Sequence, residues 1–171
     1  MNTHLAIATR PRVPPTAERR IGFAPLSTAL EPTAIADAEF SQLCQGLHRS
    51  GGLVSADIVV ALMRHGVEPS ISQPISHLAR WIVGRQVVCV PWRSQTLLPL
   101  FQFGDGMTSL RPGLAAVMAE LADVFDDWEL ALWFAQGNSG LDSAAPADRL
   151  ASHPADVWQA ARTDRFIATG G

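Results

Sequence analysis

The chain has 171 residues, 47% of them hydrophobic and 17% charged, with a formal net charge of −3. That length favours one domain, with or without a tail; the composition excludes whole-chain disorder, and no apolar run nears the ~20 residues needed to cross a bilayer. All 13 basic residues are Arg, and Lys and Tyr are absent, which removes Schiff-base, lysine-base, P-loop-lysine and tyrosine-acid chemistry.

Segment 1–33 is rich in proline (Pro11, Pro14, Pro15, Pro25, Pro32), carries Arg19-Arg20 and shows no sustained period, so it reads as a disordered, flexible arm. It lacks the continuous apolar stretch of a secretory signal, and a cytoplasmic protein is expected. From Thr33 the apolar positions Ile35, Phe40, Leu43, Cys44 and Leu47 recur mostly at three- and four-residue steps, which predicts a helix stopped by Gly51-Gly52. A second helix is predicted from Ser55, whose hydroxyl can cap the following amides, through Ile58, Val59, Leu62 and Met63 to Gly66. Pro74 suits the first position of a third, which stacks Ile75, Leu78, Ala79 and Ile82 and ends at Gly84.

The period then changes. The β-branched run 86–92 predicts a strand and 97–103 its partner, a small two-stranded element between helical blocks. Such a pair is marginal alone and must pack on the helices. Beyond Pro112, Val117, Met118, Leu121 and Phe125 share one helical face. Asp126 and Glu129 have the spacing of a capping box ahead of Leu130, Leu132, Trp133 and Phe134. Pro146 opens a short helix through Leu150, and Pro154 a last one through Phe166. The expected fold class is mostly α: a compact helical domain of about six or seven helices with a small two-stranded β element. Its expected division is the arm (1–33), a helical, helix-turn-helix-like region (34–84) and a C-terminal domain (85–171).

Charge is uneven along the chain. Residues 1–100 hold nine Arg against six acids, and residues 101–171 hold four Arg against ten, so a basic half precedes an acidic one. That asymmetry is compatible with one half meeting nucleic acid and the other meeting protein, and equally with two solvated faces.

Little in the sequence points to catalysis. The five histidines are scattered, with no i, i+4 pair of the kind that holds zinc on a helix, and Cys44 and Cys89 form no C-x-x-C. The two cysteines fit reduced, buried thiols, and neither a metal nor another cofactor is expected. No G-x-S-x-G elbow or comparable nucleophile setting occurs, so the chain is not expected to be an enzyme. The acidic group Asp123, Asp126, Asp127 and Glu129 is explained by a helix start, where the macrodipole favours negative charge.

The second and third helices have the order and length of a helix-turn-helix, although about nine residues (65–73) connect them where that motif normally uses three or four. The candidate recognition helix presents Gln73, Ser76, His77, Arg80 and Arg85 as candidate DNA-binding residues. Gln and Arg can read adenine and guanine edges, and Arg also grips phosphate. Trp128 and Trp133 stand five apart and so project to different faces of one helix, and Trp158 lies near the C-terminus.

The C-terminal half carries a resemblance. In order it shows Trp92-Arg93, Leu98-Pro99-Leu100-Phe101-Gln102-Phe103 and Leu110-Arg111-Pro112-Gly113-Leu114. Then come Asp127-Trp128 to Trp133-Phe134, Asn138 to Leu141, Pro146-Ala147-Asp148-Arg149-Leu150 and a last helix with Val157. In this order residues 85–171 resemble the toxin-binding region of Xre/MbcA/ParS-type antitoxins, the partners of RES-domain toxins. Gly137 stands where that family usually has proline.

The resemblance implies an antitoxin-like interaction protein that binds a cognate RES-domain toxin and blocks its NAD-consuming site, with repression of its own operon as a second implied activity. The implied toxin-binding residues are Trp133, Asn138, Leu141, Arg162, Arg165, Phe166 and Gly170, the C-terminal end being the part that occludes the toxin. Arginines suit phosphate- or carboxylate-lined pockets through bidentate contacts, and a glycine-ended tail can enter a narrow cleft. The alternative is a DNA-binding transcriptional regulator without a toxin partner. No membrane partner is expected, and homodimer and hetero-oligomer both stay open.

Overall fold

The computed structural model describes residues 32–65 and 73–170. Of the expected arm only Pro32 and Thr33 fall within them, and both belong to helix α1 (Pro32–Leu47). The rest of the arm, the Gly66 stop and Gly171 lie outside the described residues.

A short 3₁₀ turn (His48–Ser50) and left-handed Gly51 (φ 105°) end α1 and lead into strand β1 (Leu53–Ser55). Ser55 closes that strand, and its Oγ accepts a hydrogen bond from the Ile58 amide (3.4 Å) in the first turn of α2 (Ala56–His65). Helix α3 (Pro74–Val83) starts on Pro74 and ends at Gly84, both as the sequence predicts.

Strands β2 (Val90–Trp92) and β3 (Gln95–Pro99) form the expected antiparallel hairpin, turning through left-handed Arg93 (φ 54°). The β element has three strands, because β1 pairs with the other edge of β3 to give the order β1-β3-β2. β1 is too short to show an alternating pattern, and its last residue also serves as the α2 cap. The predicted strands are also shorter than their apolar runs: only 90–92 of the first pairs, and Leu100–Gln102 winds into a 3₁₀ turn.

Four more helices follow among the described residues and make the fold mostly α: α4 (Leu114–Leu121), α5 (Asp127–Ala135), α6 (Pro146–Arg149) and α7 (Pro154–Ala168). The capping box of α5 forms as its spacing requires. The Glu129 amide donates to Asp126 Oδ1 (2.8 Å) and the Asp126 amide to Glu129 Oε2 (2.9 Å).

The hairpin region divides two hydrophobic clusters. Val87 and Cys89 face a cluster with Val59 and Met63 of α2, Leu78 and Trp81 of α3, and Phe103. Val88 and Val90 face the larger cluster, built from Leu43, Leu47, Phe101, and the buried sides of α4, α5 and α7. The two-residue alternation of extended backbone thus sends consecutive side chains into different cores. Each fully enclosed Leu or Phe contributes about 1.5–3 kcal/mol from burial. The described residues belong to one compact unit, and α1 packs on α5, so the described parts of 34–84 and 85–171 share a core.

Aromatic rings fasten α1 to this sheet. Phe40 stacks on Trp92 at 4.1 Å and 5°, and Trp92 in turn lies 6.3 Å from Trp128 of α5. Arg93 lies over the Trp92 ring (5.7 Å) and pairs with Asp37 of α1 (3.3 Å).

Candidate functional site

Five of the seven residues that the resemblance assigns to toxin binding line α7 or the segment packed beside it, and one unforeseen side chain organises two of them. Asp164, on the inner side of α7, accepts hydrogen bonds from Trp133 Nε1 (2.7 Å) and from Asn138 Nδ2 (2.7 Å) through the same oxygen. Asn138 also caps the 3₁₀ turn Ser139–Leu141, its Oδ1 accepting from the Gly140 amide at 2.8 Å. Leu141 is buried in the larger core. Trp133 and Asn138 therefore position α7 rather than standing free. Asp164 has no local signal in sequence, since its partners lie 31 and 26 residues away.

Gly137 is required where it stands. A Cβ there would lie 2.5 Å from the Ser143 carbonyl oxygen. The Asn138 amide donates to the Ala144 carbonyl, and the Ser143 amide to that of Asn138, which closes the loop tightly.

On the outer side of α7, Arg165 pairs with Glu120 of α4 (3.0 Å), which also accepts from Trp158 Nε1 (3.2 Å). Arg162 lies over the Trp158 ring at 5.0 Å. Glu120, Arg162 and Arg165, together with Gln159, Thr163, Phe166 and Thr169, line an open cleft of about 430 Å³. Phe166 is 64% exposed, and so is its neighbour Ile167, at 68%. The sequence pattern ends this helix at Phe166, one residue short of Ile167, whereas α7 runs on to Ala168. Gly170 adopts a left-handed conformation (φ 91°) just past the helix.

The five candidate DNA-binding residues separate into two groups. Gln73, Ser76 and Arg80 are exposed on one strip of α3, with Arg80 Nε donating to the Ser76 carbonyl (3.3 Å). His77 flanks the strip, half-buried, its ring edge on Trp81 at 4.3 Å. Arg85 is turned elsewhere. From a left-handed position (φ 48°) its guanidinium donates to the carbonyls of Ala122 and Phe125 (3.0 Å to the latter) and pairs with Asp127 (3.1 Å). It ties the end of α3 to the α4–α5 turn.

Both cysteines are free thiols. Burial raises the Cys89 pKa to about 11, with the Asp127 carboxylate adding to the effect, and burial also raises Cys44. Neither is poised as a nucleophile, which needs a lowered pKa. Among the described residues no group of three or more His, Cys, Asp or Glu side chains could hold a metal ion. No helix among them is long and apolar enough to cross a membrane. Two features remain exposed at the surface: the end of α7 with Phe166 and Ile167, and the polar strip on α3.

No family model, curated protein or solved structure matches this chain.

Proposed function

We propose that the chain is an antitoxin-like interaction protein, acting in the cytoplasm, that binds and neutralises a RES-type, NAD-consuming toxin through the exposed end of α7. The observation that carries this reading is the pair Phe166 and Ile167, two large apolar side chains left in solvent on the last turn of a helix otherwise anchored by Asp164, Arg165 and its buried face. Apolar anchors of this kind, rimmed by arginine, have the make-up of a protein-binding hot spot. Arg162 stands at the rim and can pair with carboxylates or phosphates of a partner. The motif order of residues 85–171 supplies the class of partner.

Co-expression with a neighbouring RES-type gene product tests it. The wild type should co-purify with the toxin and relieve growth arrest, and a Phe166→Glu/Ile167→Glu variant should do neither. Relief of growth arrest by that variant, or by a chain lacking 155–171, overturns the α7 mechanism.

A second reading, DNA binding with repression of the chain's own operon, is supported by the exposed strip Gln73, Ser76 and Arg80. It predicts salt-dependent retardation of the promoter fragment, weakened by Arg80→Ala. Arg85→Ala bears on it less directly, since that side chain is engaged within the fold. Absence of any shift at low salt overturns it.

A further inference from the structure

The second helical pair carries exposed apolar side chains that neither reading uses. Ile58 and Leu62 of α2 are 47% and 41% exposed, and α3 adds Ile75 and Val83. Four of the seven large apolar side chains left exposed among the described residues thus belong to this one pair. Ile58 and Leu62, one turn apart, share a face of α2, whereas Ile75 borders the groove between α2 and α3 and Val83 lies beside Leu110 and Met118. The apolar face is therefore the α2 pair.

The charges on α2 say what fits there. Asp57, Ala61 and Arg64 are all exposed and fall at i, i+4 and i+7, one line along the helix surface. Asp57 and Arg64 stand about 10.5 Å apart along the axis. Neither makes an ion pair with a described residue. Beside this line runs a second of the same spacing, Ile58, Leu62 and His65. A line with an acid at one end, a base at the other and a small residue in the middle is complementary to itself when reversed.

We propose that this face is an isologous homodimer interface, in which α2 packs antiparallel on α2 of a second copy about a two-fold axis near Ala61. In that arrangement Asp57 of each copy meets Arg64 of the other, twice over, as two-fold symmetry requires. Ala61 lets the two helices approach closely, and Ile58 and Leu62 of each copy cover those of its partner. The antiparallel setting also places opposite ends of the two helix dipoles together. The strip Gln73, Ser76 and Arg80 belongs to α3, not to this face of α2, and takes no part in the contact.

Charge exchange tests this without disturbing the fold, because both positions are exposed. The full chain is expected to sediment at twice its monomer mass. Asp57→Arg alone sets Arg against Arg, and Arg64→Asp alone sets Asp against Asp, so each variant should sediment as a monomer with unchanged circular dichroism. Mixing the two variants restores opposite charges at both ends of the interface. One end then joins the two introduced side chains, and the other joins the native Asp57 and Arg64. The mixture should therefore regenerate a dimer containing one chain of each. A wild type that stays monomeric up to hundreds of micromolar overturns the proposal. So does a single variant that dimerises as the wild type does, which would move the interface off α2, or a mixture that remains monomeric.

Discussion

Gln102 and Val88 hold each other as two paired strands would. The Val88 amide donates to Gln102 Oε1 (2.7 Å), and Gln102 Nε2 donates to the Val88 carbonyl (3.0 Å), with Gln102 wholly buried between the two hydrophobic clusters. One side-chain amide thereby satisfies both backbone groups of a residue that no strand reaches. An unpaired buried amide or carbonyl costs about 1–3 kcal/mol. Gln102→Leu keeps the volume, orphans both groups, and should cost about 2–5 kcal/mol in urea unfolding. Gln102→Glu discriminates further. A protonated glutamic acid can still donate and accept at Val88, whereas the carboxylate cannot donate. The deficit of this variant relative to wild type should shrink as pH falls, and a deficit independent of pH would contradict the paired arrangement.

Asp164 couples three elements, and its removal should be read at all of them. Asp164→Ala leaves Trp133 Nε1 and Asn138 Nδ2 without their acceptor. The expected loss is about 1–3 kcal/mol, since both bonds go to a charged group but the site is only half-buried. Asp164→Asn retains an acceptor oxygen and should lose less. In a double-mutant cycle with Trp133→Phe the two changes should couple by about 1 kcal/mol. Strict additivity would show that the indole contact does not hold α7 in place.

Gly46→Ala should run against the usual helix trend. In an exposed helix interior the exchange gains about 1 kcal/mol. Here a Cβ would lie 2.5 Å from the Ala135 carbonyl oxygen and 2.9 Å from the Ala135 Cβ, where α1 packs on α5. One helix must shift, so a net destabilisation is expected in thermal unfolding. A rise in Tm would place the α1–α5 contact further apart than the structure has it.

The elements legible in the sequence were those whose signals are local. The Asp126–Glu129 box, Pro74, Pro146 and Pro154 at helix starts, and Gly84 at a helix end all act within a turn or two of themselves. What stayed hidden depends on residues distant in the chain. The run 86–92 looks like a strand over its whole length, yet Val88 finds its partner in the side chain of Gln102, and only 90–92 enters the ladder. Arg85 looks available beside Arg80, but carbonyls 37 and 40 residues further on claim its guanidinium. Asp164 gave no sign at all of organising Trp133 and Asn138.

The missing Lys and Tyr make one titration unusually clean. Between pH 9 and 11 the side chains with ordinary pKa values are Cys, Tyr and Lys, and this chain has only Cys44 and Cys89 of the three types. In the unfolded chain Cys89 ionises near its ordinary value of 9.0, whereas in the fold it does so at about 11, because burial and the Asp127 carboxylate both oppose the thiolate. Above pH 9 the unfolded state gains from ionisation that the native state cannot share, so stability is complete below pH 9 and falls as pH approaches 11. The loss across that window should be roughly 3 kcal/mol. Cys44, raised by burial as well, adds a further contribution of the same sign. Urea midpoints measured through this range should slope downward in the wild type and lose most of that slope in Cys89→Ala. An equal slope in both would mean that the Cys89 thiol ionises in the fold as readily as in the unfolded chain.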